Sequence, residues 1–181
     1  MLFRSRLPFQ VVSPDVDETA AAGEVPAALA RRLALAKARA VASQHPSAVV
    51  IGSDQVADLD GGAIGKPGSH DRAVSQLRSM RGRMVVFHTA VSVVCHATEF
   101  EQTDLATVRV QFRDLTDADI ERYLQLEQPY DCAGSAKCEA LGIALLEVIE
   151  SDDPTALIGL PLIRTCRLLR VAGLDPLGAI P

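Results

Sequence analysis

Over residues 26–43 the apolar side chains Leu29, Leu33, Ala36 and Ala40 recur every three or four positions, with Arg31, Arg32, Lys37 and Arg39 between them. That period predicts an amphipathic helix, ended by His45-Pro46. The next run, Ala48 to Ile51, is continuously apolar and suits a buried strand. The polar stretch Gly52-Ser53-Asp54-Gln55 follows it and places Asp54 at the strand's tip. Asp60-Gly61-Gly62 reads as a tight turn. After Gly65-Lys66-Pro67-Gly68, Ser69 caps a helix to Met80, with Gly82 beyond its end.

Residues 84–94 and 103–112 are rich in Val, Phe and Thr and predict two long strands pairing as a ribbon, separated by residues 96–101. Thr116, with Asp119 three positions on, opens a short helix to about Leu126, and Pro129 confirms its stop. Residues 128–139 have no period and predict an ordered loop or a site. Residues 141–148 return as a buried strand, and residues 161–172 form a helix with proline in its first turn and Gly173 past its end. Hairpin strands beside strands joined through helices predict an α/β fold with a mixed sheet flanked by helices, in one domain covering residues 1–181.

Length and composition agree with that reading: 181 residues, 48% hydrophobic, can bury one substantial core. A net charge of −5 gives no global positive field for a nucleic-acid polymer or an anionic membrane, so an anionic ligand has to be met by a few local cations. No signal peptide and no apolar run long enough to span a membrane is visible, and the expectation is a soluble cytoplasmic protein. Cys95, Cys132, Cys138 and Cys166 lack metal-ligand spacing and read as reduced, unpaired thiols. Neither a dinucleotide-binding glycine fingerprint nor a Walker motif is present, since proline follows Lys66.

Polar residues gather at three places where regular structure is expected to end: Asp15 to Thr19, Ser53-Asp54-Gln55 and Gly65-Lys66-Pro67, with Lys37 on the intervening helix. Carboxylates can hold a hard divalent cation and lysines can neutralise phosphates, which suits displacement at phosphorus. From the pattern alone each has an ordinary alternative. Asp54 suits a turn cap, the acidic cluster a solvated loop, Lys37 a surface position, and His88 an inward-packed strand side chain.

Six blocks in order, VVSPDVDET, RLALAKARAVA, VVIGSDQVADLDGGAIGKPG, FHTAV, YDCAGSAKCEALGIALL and IGLPLIR, resemble the Maf family of nucleotide pyrophosphatases over nearly the whole chain. The resemblance implies a two-lobed fold with a central cleft, often dimeric. It also implies metal-assisted attack of water at the α-phosphate of a nucleoside triphosphate, with a divalent cation such as Mg²⁺ or Mn²⁺. Asp54 is then the proton acceptor and a metal ligand, and Glu18 a second ligand or a group that orients the water. Lys37 and Lys66 face phosphate. The Asp54-Gln55 pair and the block containing Glu139 resemble the branch acting on 7-methyl-GTP, with Gln55 and Glu139 as specificity determinants; the branch acting on dTTP and UTP carries threonine after the aspartate. Family members begin with a strand and a segment of the form L-x-S-x-S-P-x-R-x-x-L-L. This sequence starts after it, and neither Arg4 nor Arg6 matches the motif arginines. The expectation is a start assigned too late or a shortened enzyme, and a non-catalytic nucleotide-binding regulator of cell division stands as the alternative.

Overall fold

A computed structural model describes residues 7–178. Its helices are α1 (Pro26–Ala42), α2 (His70–Met80), α3 (Asp117–Glu127) and α4 (Leu162–Val171). Its strands are β1 (Val50–Leu59), β2 (Gly62–Ile64), β3 (Met84–Cys95), β4 (Phe100–Phe112) and β5 (Leu146–Glu150). The strands form one sheet in the order β2-β1-β3-β4-β5. The expected α/β class with flanking helices is present, and each of the four described ladders is antiparallel. The parallel pairing expected from helix-joined strands does not occur among the described residues, because α2 returns the chain so that β3 runs against β1.

The two faces of the sheet have different partners. Val56 and Ala90 pack with Leu29, Ala30, Leu33 and Ala34, while Val50 and Val94 pack with Ala38 and Ala42, so the even positions of β1 and β3 face α1. On the opposite face Val91 and Val93 meet Leu168 and Leu169 of α4. Ala57, Val85 and Phe87 join the largest cluster there, with Leu77 and Met80 of α2 and Ile120 and Leu124 of α3. Along β1 the core changes hands between Val56 and Ala57, and the candidate chemistry lies beside that junction.

Three further expectations are corrected. The buried stripe of α1 runs through Ala30, Ala34, Ala38 and Ala42, turned from the expected Ala36 and Ala40 line; all four are fully buried. Alanine on this helix marks the face of closest approach, because a Cβ on Gly52 would lie 2.3 Å from the Ala34 carbonyl oxygen and 2.6 Å from the Ala38 nitrogen. Second, β1 continues to Leu59, so Asp54 stands in mid-strand rather than at a tip. Third, residues 141–148 are not one buried strand. A 3-10 turn over Leu141–Leu145 precedes β5, an edge strand with mostly exposed side chains, and Gly142 packs so tightly on the Lys137 backbone that the chain turns there.

Gly52→Ala tests the helix approach. The added methyl meets the Ala34 and Ala38 backbone and the Ala38 Cβ, none of which can swing aside, so we expect a cost of about 3 kcal/mol and a Tm lower by roughly 6–12 °C in a thermal melt; an unchanged Tm would contradict contact this close.

Candidate active site

The close approach at Gly52 brings α1 over β1, and two residues further along the same face Asp54 meets Lys37. The Lys37 Nζ donates to Asp54 Oδ1 at 2.6 Å and pairs with Glu18 Oε1 at 2.7 Å. Lys66, in the loop after β2, reaches Glu18 Oε2 at 3.8 Å. The four residues expected to carry the chemistry therefore form one chain of alternating charge. It runs outward from the interior, the side chains of Asp54, Lys37, Glu18 and Lys66 being 11%, 20%, 46% and 62% exposed.

Burial and ion pairing together set the proton affinities of Asp54, Glu18 and Lys37. Burial pushes the Asp54 carboxyl above the usual aspartate value, against the lowering pull of the Lys37 hydrogen bond. Glu18 is held below its ordinary value, chiefly by its hydrogen bond to Lys37. Burial alone would lower Lys37, but its bonds to both carboxylates outweigh that and raise it, so it stays charged. The result is a sheltered carboxylate of increased basicity beside a permanent cation.

Alternation along β1 turns the neighbours of Asp54 to the other face. Ser53 Oγ lies 2.7 Å from the Ala90 carbonyl oxygen and 2.8 Å from that of Gly159. Gln55 Nε2 donates to the carbonyls of Ala156 at 2.9 Å and Leu157 at 3.1 Å and to Thr89 Oγ1 at 3.0 Å; the fully buried Thr89 hydroxyl in turn donates to Ala156. Three acceptors around the nitrogen fix the amide orientation and leave Gln55 Oε1 as the group with hydrogen-bonding capacity to spare. Gln55 thus ties β1 to the turn before α4 and does not share the Asp54 cluster. Glu139 is exposed, and no described residue pairs with it. Burial, followed by the Glu139 charge, pushes the Cys138 thiol up to about 12; burial with Asp131 nearby pushes Cys132 to about 11. Both stay protonated, in keeping with free thiols.

The chain that carries this arrangement matches known proteins over nearly its whole length. The sequence model of the Maf-like protein family covers residues 1–172. The chain belongs to this family. Among its curated relatives, a 7-methyl-GTP pyrophosphatase of Albidiferax ferrireducens is 66% identical over 179 residues, 99% of this chain and 90% of that protein. One from Polaromonas sp. is 68% identical over 173 residues, covering 96% and 79%, and one from Bordetella avium is 60% identical over 177 residues, covering 98% and 89%. Arg4 and Arg6 lie outside the described residues.

In this Maf-like site the donors can be tested against a divalent cation. No group of three or more His, Cys, Asp or Glu able to hold a metal occurs among the described residues. Asp54 and Glu18 supply two carboxylates, joined through Lys37. Magnesium is commonly held by one or two carboxylates together with substrate phosphates and water. The set fits a cation that arrives with a triphosphate, and it does not fit a structural metal. His88 packs inward with Nε2 3.0 Å from Asp58 Oδ2, while its buried Nδ1 has no hydrogen-bond partner among the described residues. A concavity of about 450 Å³ at the β4–β5 edge holds Arg109 and Arg164, but these face Glu150 and Asp152, so its walls are already neutralised. Among the described residues no helix is long and apolar enough to cross a membrane.

The sequence placed Ser53 in a polar cluster without a role for it, and did not single out the other supports: Thr89 under the Asp54 strand, and Glu24 with Arg32 behind Glu18. Arg32 donates to both Glu24 oxygens at 2.7 and 2.8 Å and to the Thr19 carbonyl at 3.0 Å, tethering the acidic segment to α1. Arg32→Ala should accelerate amide hydrogen exchange across residues 15–25 at neutral pH while moving Tm by less than about 2 °C. In the wild type, Arg32 and then the Ala21 amide hold the Glu24 carboxyl at about 2 against an ordinary 4.5. A carboxylate lowered on folding stabilises above its unfolded value and loses that contribution as pH falls through its folded one. Exchange in the wild type should therefore approach the variant's only as pH drops from 4.5 toward about 2; equal exchange at neutral pH would mean the segment is held elsewhere.

Proposed function

We propose that the protein hydrolyses 7-methyl-GTP, or a closely related modified nucleotide, to the monophosphate and diphosphate. The observation that carries this reading is the Glu18–Lys37–Asp54 chain, with Lys66 at its rim: a sheltered base, a fixed cation and an outer cation in one row. The names of the relatives support the substrate.

In this reading Asp54 accepts a proton from water as the water oxygen bonds to the α-phosphorus. The bond from that phosphorus to the bridging oxygen breaks, and diphosphate leaves with the electron pair. Burial suits Asp54 to the task by strengthening it as a base. Lys37 keeps the carboxylate ionised and, with Lys66, neutralises charge on the phosphates and the departing group. Glu18 orients the water or joins Asp54 in holding Mg²⁺ or Mn²⁺; when bound, such a cation supplies further neutralisation of phosphate charge.

Specificity follows from hydrogen-bond complementarity. Gln55 Oε1 offers an acceptor and Glu139 an unpaired carboxylate. Guanine carries donors at N1 and its 2-amino group, and methylation at N7 makes the base cationic, so both residues favour 7-methylguanine over an acceptor-rich, neutral base. A cytoplasmic location and a homodimeric state belong to the same proposal.

Diphosphate release with Mg²⁺ or Mn²⁺ from 7-methyl-GTP, GTP, dTTP and UTP tests it. The expected order places 7-methyl-GTP first, and Asp54→Asn should lower kcat by roughly 10²–10⁴-fold through loss of the base. Preferential cleavage of dTTP or UTP would overturn the substrate, and binding of 7-methyl-GTP without turnover would replace the enzyme by a nucleotide-binding regulator.

A further inference from the structure

Lys66 is the most exposed of the four charged groups, and among the described residues its ammonium pairs only with Glu18, at 3.8 Å. With so little holding the side chain, its reach is set by the backbone of the loop that carries it. That backbone is fastened on both sides of Lys66-Pro67. Before it, the Gly65 carbonyl accepts from Gln76 Nε2 at 3.1 Å; after it, the Gly68 amide donates to the Tyr130 carbonyl at 2.9 Å.

Both fastenings lead to one place. The other end of the Gln76 amide, Oε1, accepts from Ser135 Oγ at 2.6 Å. Ser135 is fully buried and has a left-handed backbone, φ 54°, following Gly134 at φ 69°. A Cβ on Gly134 would already touch Ala57 of β1 and Phe87 of β3 at 3.4 Å, so this kink is pressed against the sheet. Four residues beyond Ser135 the chain presents Glu139, and the intervening Lys137 amide is held by the Tyr123 hydroxyl at 3.0 Å. A single side chain in the middle of α2 therefore joins the lysine loop to the segment bearing the unpaired carboxylate.

We propose that Gln76 is a positioning residue that couples Lys66 to the Glu139 segment, so that the grip on phosphate depends on the element that reads the base. The proposal rests on the reading of Lys66 as a phosphate-facing lysine. Neither Gln76 nor Ser135 touches the reacting atoms; Gln76 acts through Lys66, and Ser135 fixes the direction of the Gln76 amide.

The test is a double-mutant cycle in the full-length protein. Gln76→Met keeps length and helix propensity but removes both bonds; Gln76→Glu keeps the acceptor for Ser135 and loses the donor to Gly65. With 7-methyl-GTP as the probe, Gln76→Met should lower kcat/KM by about tenfold in the wild-type background and by less than about twofold in Lys66→Ala. Gln76→Glu should show the same kinetic loss with a melting temperature near that of the wild type. Equal losses in both backgrounds would assign Gln76 a general structural role and overturn the proposal, as would full activity in Gln76→Met. A Lys66→Ala enzyme of undiminished activity would overturn the lysine's role and the coupling together. If the wild type leaves 7-methyl-GTP intact, the activity reading fails by itself, and amide hydrogen exchange still decides the coupling. Faster exchange in both residues 65–68 and 130–138 of Gln76→Met supports it, and faster exchange in 65–68 alone overturns it.

Discussion

A charge in the middle of a sheet strand persists only while another charge answers it, and for Asp54 the answering group is the Lys37 ammonium at 2.6 Å. Much of the surrounding structure is needed to keep that contact. Lys37 reaches Asp54 because α1 lies unusually close to β1, and α1 lies close because a row of alanines meets a glycine. Close approach, buried charge and increased basicity are consequences of one packing decision at Gly52.

The pleat of β1 divides labour between the faces of the sheet. Asp54 points toward α1 and the charged chain, whereas Ser53 and Gln55 point the other way and bind the turn over residues 156–159. The strand that carries Asp54 is gripped from beneath on both sides of it. This arrangement explains how three consecutive polar residues continue a strand without disrupting it: each has a partner on its own face. The Gln55 nitrogen anchors the turn and leaves the oxygen as the group with hydrogen-bonding capacity to spare.

Much of this was legible in the sequence. Period and turn chemistry located α1, α2, α3 and α4 closely, and the capping pair Thr116 and Asp119 forms the reciprocal bonds its spacing implies. Resemblance to the Maf family singled out Asp54, Glu18, Lys37 and Lys66, which the structure brings into one row. Other features depend on tertiary partners that no local pattern encodes. Polar residues read as a strand's end because their partners, the Lys37 ammonium and the carbonyls of residues 156–159, are remote in sequence. The apolar run at 141–148 could not declare that Gly142 would be pinned on Lys137. No local pattern marks Gln76, and only contact with Gly65 on one side and Ser135 on the other gives it meaning.

The central claim is that Asp54 directs water to the α-phosphorus, and the fate of the water oxygen tests it most directly. Hydrolysis of 7-methyl-GTP in water enriched in heavy oxygen, followed by mass spectrometry of both products, should place the label in the nucleoside monophosphate and leave the diphosphate unlabelled. Label in the diphosphate would mean attack at the β-phosphorus and would contradict the placement of Asp54 as the base for the α-phosphate.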